Sequence, residues 1–141
     1  MLKLNIGLTF PGTCEEAFNL YRSVFGVEFE SFVRYSEDSA TDATTHDEEK
    51  NKIAFVALRI GPDLLCGDDT LESSGINVIS GNNVSISVHP ETRAEARRIF
   101  NELSAGGSEI LPIADFPWGY CGILLDKFGV KWIVWHNSPM I

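Results

Sequence analysis

The chain has 141 residues, of which 44% are hydrophobic, and its formal net charge is −9. This length predicts about one domain with a buried core, and so acidic a surface repels nucleic-acid phosphates, which excludes nucleic acid as a partner. The sequence has no run of about 18 uncharged apolar residues and no signal peptide. We therefore expect no membrane association and a cytoplasmic location.

The first predicted element is a β-strand over residues 4–10, where apolar side chains alternate with small polar ones. The same alternation recurs at residues 83–89. We expect the apolar face of each strand to lie under a helix and the other face to border a binding cleft. The polar face carries Asn5, Gly7 and Thr9 in the first strand and Asn83, Ser85 and Ser87 in the second.

An amphipathic helix follows each of these strands. The segments that begin at Thr13 and Thr92 match at an offset of 79 positions, and each opens with a Thr-x-x-Glu capping box. Each helix is expected to end at a glycine, Gly26 or Gly106. Apolar residues recur at helical spacing in both segments, which predicts a stripe that packs on the core.

Three strands are predicted after each helix. They span about 28–35, 53–60 and 64–68 in the first half, and about 108–113, 120–126 and 130–135 in the second. Gly61 and Gly129 mark equivalent hairpin turns at an offset of 68. Each half is therefore a β-α-β-β-β module.

The two modules cover about residues 1–75 and 80–137. Together they predict one α+β domain over residues 1–141, in which concave mixed sheets surround a cleft. Residues 36–51 form an acidic, aperiodic segment with no counterpart in the second module, which predicts a surface loop inserted into the first.

Several quoted segments carry a family resemblance: "YRSVFG", "LRIG", "AEARRIFNELSAGG", "PWG" and "LLDKFGVKW". With the duplicated module, they resemble the vicinal oxygen chelate superfamily of glyoxalases, bleomycin-resistance proteins and extradiol dioxygenases. The PhnB-like branch, often described by similarity to a 3-demethylubiquinone methyltransferase, is the most similar. This resemblance implies a small-molecule ligand in the cleft and a homodimer.

Metal-dependent members of that superfamily place one ligand on the first and one on the last strand of each module. The resemblance carries these positions to Ile6 or Gly7, Leu65, Ser85 and Ile133, none of which ligates divalent metals. Where many PhnB-like sequences have His and Glu, this chain has Phe55 and Ala57. The expected cleft therefore has no metal and no cofactor.

Other candidate chemistry is sparse. The histidines His46, His89 and His136 have no ligand spacing, and His89 is expected to help the second helix begin. The three cysteines, Cys14, Cys66 and Cys121, fit free thiols in a reducing compartment. Asp115 is either a general base or a loop cap.

The expected ligand-binding residues combine apolar and aromatic walls with a few polar groups, as is usual for small-molecule pockets. They are Asn5, Thr9, Phe55, Leu65, Ser85, Ser87, Asp115, Trp118, Tyr120, Ile133 and Trp135. Trp118 stands between Pro117 and Gly119, which interrupt strand pairing, so its indole is expected at the cleft. Trp132 is expected in the core, and Trp135 in either place.

Two functions stay open. The first is metal-free binding of a hydrophobic or aromatic small molecule, and the second is a superfamily enzyme with lyase, isomerase or oxygenase chemistry. Such an enzyme would use a metal or the side chains of Asp115 and Tyr120. The missing metal ligands favour the first. Methyltransferase activity is not expected, because no glycine-rich nucleotide loop follows a strand.

Overall fold

A computed structural model describes residues 1–37 and 47–140 of the chain. The chain divides into two compact units, Met1–Ile79 and Ser80–Ile141, and the boundary falls between the two predicted modules. Residues 38–46, the middle of the predicted acidic loop, lie outside the described residues, so the expectation for that part of the loop stays a prediction.

The described residues of the first unit, 1–37 and 47–79, form four strands and one α-helix. Its elements are β1 (Ile6–Phe10), α1 (Cys14–Phe25), β2 (Phe29–Arg34), β3 (Ile53–Ile60) and β4 (Asp63–Asp69). The strands lie in the order β1-β4-β3-β2, with β1 parallel to β4 and the other pairs antiparallel. The parallel pair is possible because α1 carries the chain from β1, at one edge of the sheet, across to β2 at the other edge.

The second unit repeats this arrangement. Its elements are β5 (Ile86–Val88), α2 (Arg93–Ser104), β6 (Ser108–Phe116), β7 (Gly119–Leu125) and β8 (Lys131–His136). The strand order is β5-β8-β7-β6, again with one parallel pair, β5 with β8. The predicted α+β fold of two β-α-β-β-β modules with mixed sheets is confirmed. The strands β1 and β5 are shorter than predicted, and β6 runs on to Phe116.

Each helix covers one face of its own sheet. A Cβ atom placed on Gly67 of β4 would lie 2.6 Å from the Phe18 ring of α1, and one on Gly122 of β7 would lie 2.6 Å from the Phe100 ring of α2. Glycine at these two sites lets helix and strand approach closely. Because side chains alternate along a strand, these contacts identify the helix-facing side of each sheet.

The capping box predicted at Thr13 is wrong, whereas the one at Thr92 is confirmed in part. Thr92 accepts a hydrogen bond from the Glu95 amide at 3.1 Å, but the Thr13 side chain makes no capping bond. The buried Asp69 carboxyl takes that role: it accepts from the Cys14 amide with one oxygen and from the Ile53 amide with the other, both at 2.9 Å. A residue at the far end of β4 thus fixes the start of α1.

The described end of the acidic segment is packed rather than free on the surface. Glu49 is buried, and its carboxylate accepts a hydrogen bond from the Ser73 amide at 3.1 Å. The Lys50 carbonyl accepts from the Ser36 amide at 3.1 Å, which joins the two described ends of the segment. The insertion is therefore anchored where it re-enters the sheet.

Across residues 1–37 and 47–140, none of the helices combines the length and the apolar character that a membrane-spanning helix needs.

The core position of Trp132 generates a stability prediction. Its side chain is 0% exposed, and its indole N–H donates to the buried Asp126 carboxyl at 2.9 Å. Trp132→Ala should lower the free energy of unfolding by about 3–5 kcal/mol, because it leaves a large cavity. Urea unfolding followed by circular dichroism measures this change, with Trp118→Ala as the matched control. An equal loss in both variants would contradict the different placement of the two indoles.

Candidate functional site

The helix leaves the opposite, open face of each sheet as the place where side chains can meet a ligand. In the first unit this face carries Thr9 and Asp68, which are register partners, and Gly7 and Cys66, which are the next such pair. Leu65 lies on the helix-facing side with Gly67 and is 3% exposed. The expectation that Leu65 lines a ligand site is therefore corrected: it belongs to the core.

The reason for this error is a difference in turn length. Leu58 pairs with Leu65 and Leu124 pairs with Trp132, but the second connection is one residue longer. Matching Gly61 to Gly129 therefore shifts the last strand by one position. A shift of one residue exchanges the two faces of a strand, so the counterpart of Ile133 is Cys66 rather than Leu65.

In the second unit the open face carries Ile133 and its register partner Ser87. Both side chains retain solvent exposure, in contrast to the fully buried Trp132 and Val134 on the other face. Trp135 is half-buried and lies on the same side as Ile133. Ser85 and Asn5 precede the strands on which they were expected, since β5 begins at Ile86 and β1 at Ile6.

Tyr120 does not line the open face. It pairs with His136 on the helix-facing side and is 4% exposed. The Arg93 guanidinium covers its ring at 4.0 Å, a cation–π contact. Tyr120 therefore does not line the open face, but it does line a cavity at the end of the sheet, so its expected role at a ligand site stays a prediction.

That cavity has a volume of about 500 Å³. It is bordered by the β6–β7 turn, the first residue of α2 and the segment after β8. Its side chains include Arg93, Asp115, Phe116, Trp118, Tyr120 and His136. Its volume falls in the range of about 300–1,000 Å³ that is typical of small-molecule sites.

Trp118 lies at this cavity, outside the core, with 46% of its surface exposed. Its indole stacks on the Phe116 ring with centroids 4.9 Å apart and planes 3° apart. The Trp135 indole N–H donates to the Trp118 carbonyl at 2.8 Å. The backbone at Trp118 is thus bonded to β8, while its indole is stacked on a neighbouring ring.

Gly119 explains why the Trp-Gly pair is needed. Its φ is +131°, which side-chain-bearing residues rarely adopt. A Cβ there would lie 2.8 Å from both the His136 carbonyl oxygen and the Trp135 indole nitrogen. Glycine therefore lets β7 begin directly against β8 while Trp118 turns outward.

Asp115 is neither a loop cap nor a free base. It lies on β6 and forms a two-point ion pair with Arg93, with oxygen–nitrogen distances of 2.5 and 2.7 Å. The hydrogen bonds from Arg93 hold the pKa of the Asp115 carboxyl below its usual value, which makes it a weak base. Sequence reasoning missed Arg93, because the strand was predicted to stop before residue 115.

The first unit has a smaller pocket of about 230 Å³ on its open face. Thr9 Oγ1 donates to Asp68 Oδ1 at 2.8 Å, and the 43% exposed Phe55 forms one wall. Thr9 and Phe55 were predicted, whereas Cys66 and Asp68 were missed. No sequence signal marks them, because the difference in turn length appears only in the pairing of the strands.

Metal and thiol chemistry finds little support in the described residues. In residues 1–37 and 47–140, no three His, Cys, Asp or Glu side chains are grouped so that they could hold a metal. Burial raises the thiol pKa of Cys14, Cys66 and Cys121, which disfavours the reactive thiolate.

The histidine roles differ from those expected. His136, rather than His89, contacts the segment before α2, with its Nδ1 3.0 Å from the Pro90 carbonyl oxygen. The His89 ring lies 6.0 Å from the Trp135 ring, and its Nδ1 has no hydrogen-bond partner among the described residues.

Comparisons with known proteins agree with this architecture. A model of the family described as 3-demethylubiquinone-9 3-methyltransferase matches residues 2–135. Protein PA1353 from Pseudomonas aeruginosa is 30% identical, with a TM-score of 0.83 over 96% of this chain and 98% of that chain. The PhnB protein from Bacillus cereus is 25% identical, with a TM-score of 0.77 over 96% and 99% of the two chains.

More distant structures share the fold alone. A glyoxalase-related enzyme from Fulvimarina pelagi is 16% identical, with a TM-score of 0.60 over 97% of this chain and 89% of that chain. No curated protein matches the chain.

The ion pair at the cavity predicts a pH effect. Because the pKa of Asp115 is lowered in the folded protein, the pair contributes stability above the usual aspartate pKa and loses it as pH falls through the lowered one. Arg93→Ala should raise the pKa of Asp115 toward its usual value in a carboxyl NMR titration. Arg97→Ala, which removes the same charge from the same helix, should leave it unchanged. An identical Asp115 titration in all three proteins would contradict the pair.

Proposed function

The chain belongs to the 3-demethylubiquinone-9 3-methyltransferase (PhnB-like) family, which has the glyoxalase and bleomycin-resistance fold, and on this premise we propose that it binds a small aromatic molecule without a metal. The binding site is the cavity of about 500 Å³ in the second module. The observation that carries the proposal is the exposed indole of Trp118, which is stacked on the Phe116 ring.

An exposed tryptophan side chain normally loses conformational entropy when it binds a ligand, and this loss weakens the binding. The stacking of the Trp118 ring on Phe116 reduces the freedom that remains to be lost. A flat aromatic ligand can stack on such a preorganised surface at little further cost. Packing alone does not require this arrangement, since the indole remains 46% exposed.

The charged groups at the cavity favour an uncharged ligand body. Arg93 and Asp115 satisfy each other through two hydrogen bonds, so the pair presents almost no net charge. A ligand that competed for either partner would have to break this pair. Aromatic and apolar surface, rather than a fixed charge, therefore dominates recognition.

The alternative function is an enzyme of the same superfamily, and Asp115 is poorly suited to act as its general base. The Arg93 hydrogen bonds lower the pKa of Asp115 and weaken it as a proton acceptor. The Tyr120 ring is covered on one face by the Arg93 guanidinium at 4.0 Å. Binding without chemistry fits these groups better, and the donor set of the described residues gives a metal no cluster to occupy.

We also propose a homodimer that acts in the cytoplasm. The strands β1 and β5 each pair on one side only, so each leaves an edge that can be covered. Leu2, Leu4 and Ile6, just before and at the start of β1, are exposed apolar side chains, which favours a partner surface there. Three free cysteines fit a reducing compartment.

The binding proposal predicts the effect of Trp118→Ala. This variant should weaken binding of N-phenyl-1-naphthylamine, a neutral aromatic dye, about tenfold or more, because about 1.4 kcal/mol of stacking corresponds to that factor. Dye fluorescence measures affinity. Trp118→Phe should retain most of the binding, and dialysis against EDTA should change nothing.

The matched control is Phe55→Ala, which removes a similarly exposed aromatic from the first module. Unchanged dye binding in Trp118→Ala, or equal losses in the Trp118 and Phe55 variants, would overturn the second-module site. Loss of binding after EDTA treatment would overturn the metal-free part of the proposal.

The dimer predicts a solution mass of about twice 15.6 kDa. Sedimentation equilibrium at micromolar concentration measures it, and Leu4→Lys should shift the equilibrium toward the monomer by placing a charge in the apolar contact. Ser23→Lys, an exposed change on α1, serves as the control. A wild-type chain that sediments only at 15.6 kDa would reject the dimer.

A further inference from the structure

The first module carries a pocket whose chemistry differs from that of the second-module cavity, and the two share no lining residue. It has a volume of about 230 Å³ and lies on the open face of the ladder between β1 and β4. A Cβ atom on Gly7 would meet no other atom within 4 Å, so the space above this residue is open. The exposed phenyl ring of Phe55 forms a wall.

The pocket contains one carboxyl group, that of Asp68. Its Oδ1 accepts a hydrogen bond from Thr9 at 2.8 Å, which fixes the orientation of the group. Within the described part of the chain, no Lys or Arg forms an ion pair with Asp68. A partly buried carboxylate without a cationic partner favours a ligand that brings a positive charge of its own.

The surroundings of Asp68 favour an organic cation. Phe55 offers an aromatic face, which attracts ammonium groups and packs against apolar carbon. A net charge of −9 also raises the local concentration of cations near the protein. The pocket is smaller than the range of about 300–1,000 Å³ for drug-sized ligands, so the ligand is small.

A metal ion fits this pocket poorly. Calcium takes about six to eight oxygen ligands, and magnesium takes about six, including several waters. The described residues provide no group of three or more His, Cys, Asp or Glu side chains at any one place. An ammonium group needs only one carboxylate and an aromatic neighbour.

We propose that this pocket binds the ammonium group of a small amine with an apolar body. Asp68 is the counter-ion, Thr9 holds its carboxylate in position, and Phe55 packs against the apolar body. The second-module cavity, with its neutralised Arg93–Asp115 pair, offers no such uncompensated carboxylate. This inference does not rest on the function proposed for that cavity.

The test uses 2-phenylethylamine as the probe and amide NMR of the full chain as the readout. Titration should shift the amide signals of Thr9, Cys66 and Asp68 in a saturable manner. Asp68→Asn, which keeps the size of the side chain, should weaken the apparent affinity at least tenfold. Asp63→Asn is the matched control, because it removes the same charge from an exposed position on the same strand.

The anion 3-phenylpropanoate has a similar shape and should leave the three signals unshifted. Equal binding of the amine and the anion would overturn the proposal, and so would wild-type affinity in Asp68→Asn. Equal losses in the Asp68 and Asp63 variants would show a general charge effect and would also overturn it. If Asp68→Asn does not fold, Gly7→Leu decides: it fills the open space and should abolish the shifts, and retained shifts would overturn the pocket.

Discussion

The helix of each module covers one face of its sheet, and this single constraint determines which strand side chains enter the core and which stay on the open face. Because strand residues alternate between faces, every second residue is committed to the core once the helix has packed. In β8 the core residues are Trp132 and Val134, and Ile133 and Trp135 lie on the other face. In β4 the core contains Leu65, and Asp68 lies on the open face.

The sequence predicted the elements because their signals are local. The strand at Ile53–Ile60 has the predicted bounds, and Gly61 and Gly129 both have positive φ at their turns. The prediction failed where the positions of the turns were used to assign side chains to the two faces of a strand. The turn at Gly129 is one residue longer, and no local pattern reveals how each turn closes, so Leu65 was assigned to the wrong face.

Contacts between distant residues were the other part that the sequence could not supply. Thr13 has the local features of a helix cap, yet Asp69 satisfies the first amide of α1 from 55 positions away. Asp115 likewise pairs with Arg93 because β6 and α2 are in contact in the folded module. Such pairings depend on the assembled topology. Several polar side chains could satisfy the same group, so the sequence does not identify which one does. The exposure of Trp118, by contrast, was predictable because Pro117 and Gly119 flank it.

Once the register is corrected, the two modules differ most where packing constrains them least. Leu65 and Trp132 are equivalent positions that both fill the core, while the open-face counterparts Asp68 and Trp135 exchange a carboxylate for an indole. A change on the helix-facing side would leave a cavity or a clash and cost stability. A change on the open face leaves the packing between helix and sheet intact. One duplicated module can therefore carry a carboxylate in one half and an indole in the other at the same open-face position without altering its fold.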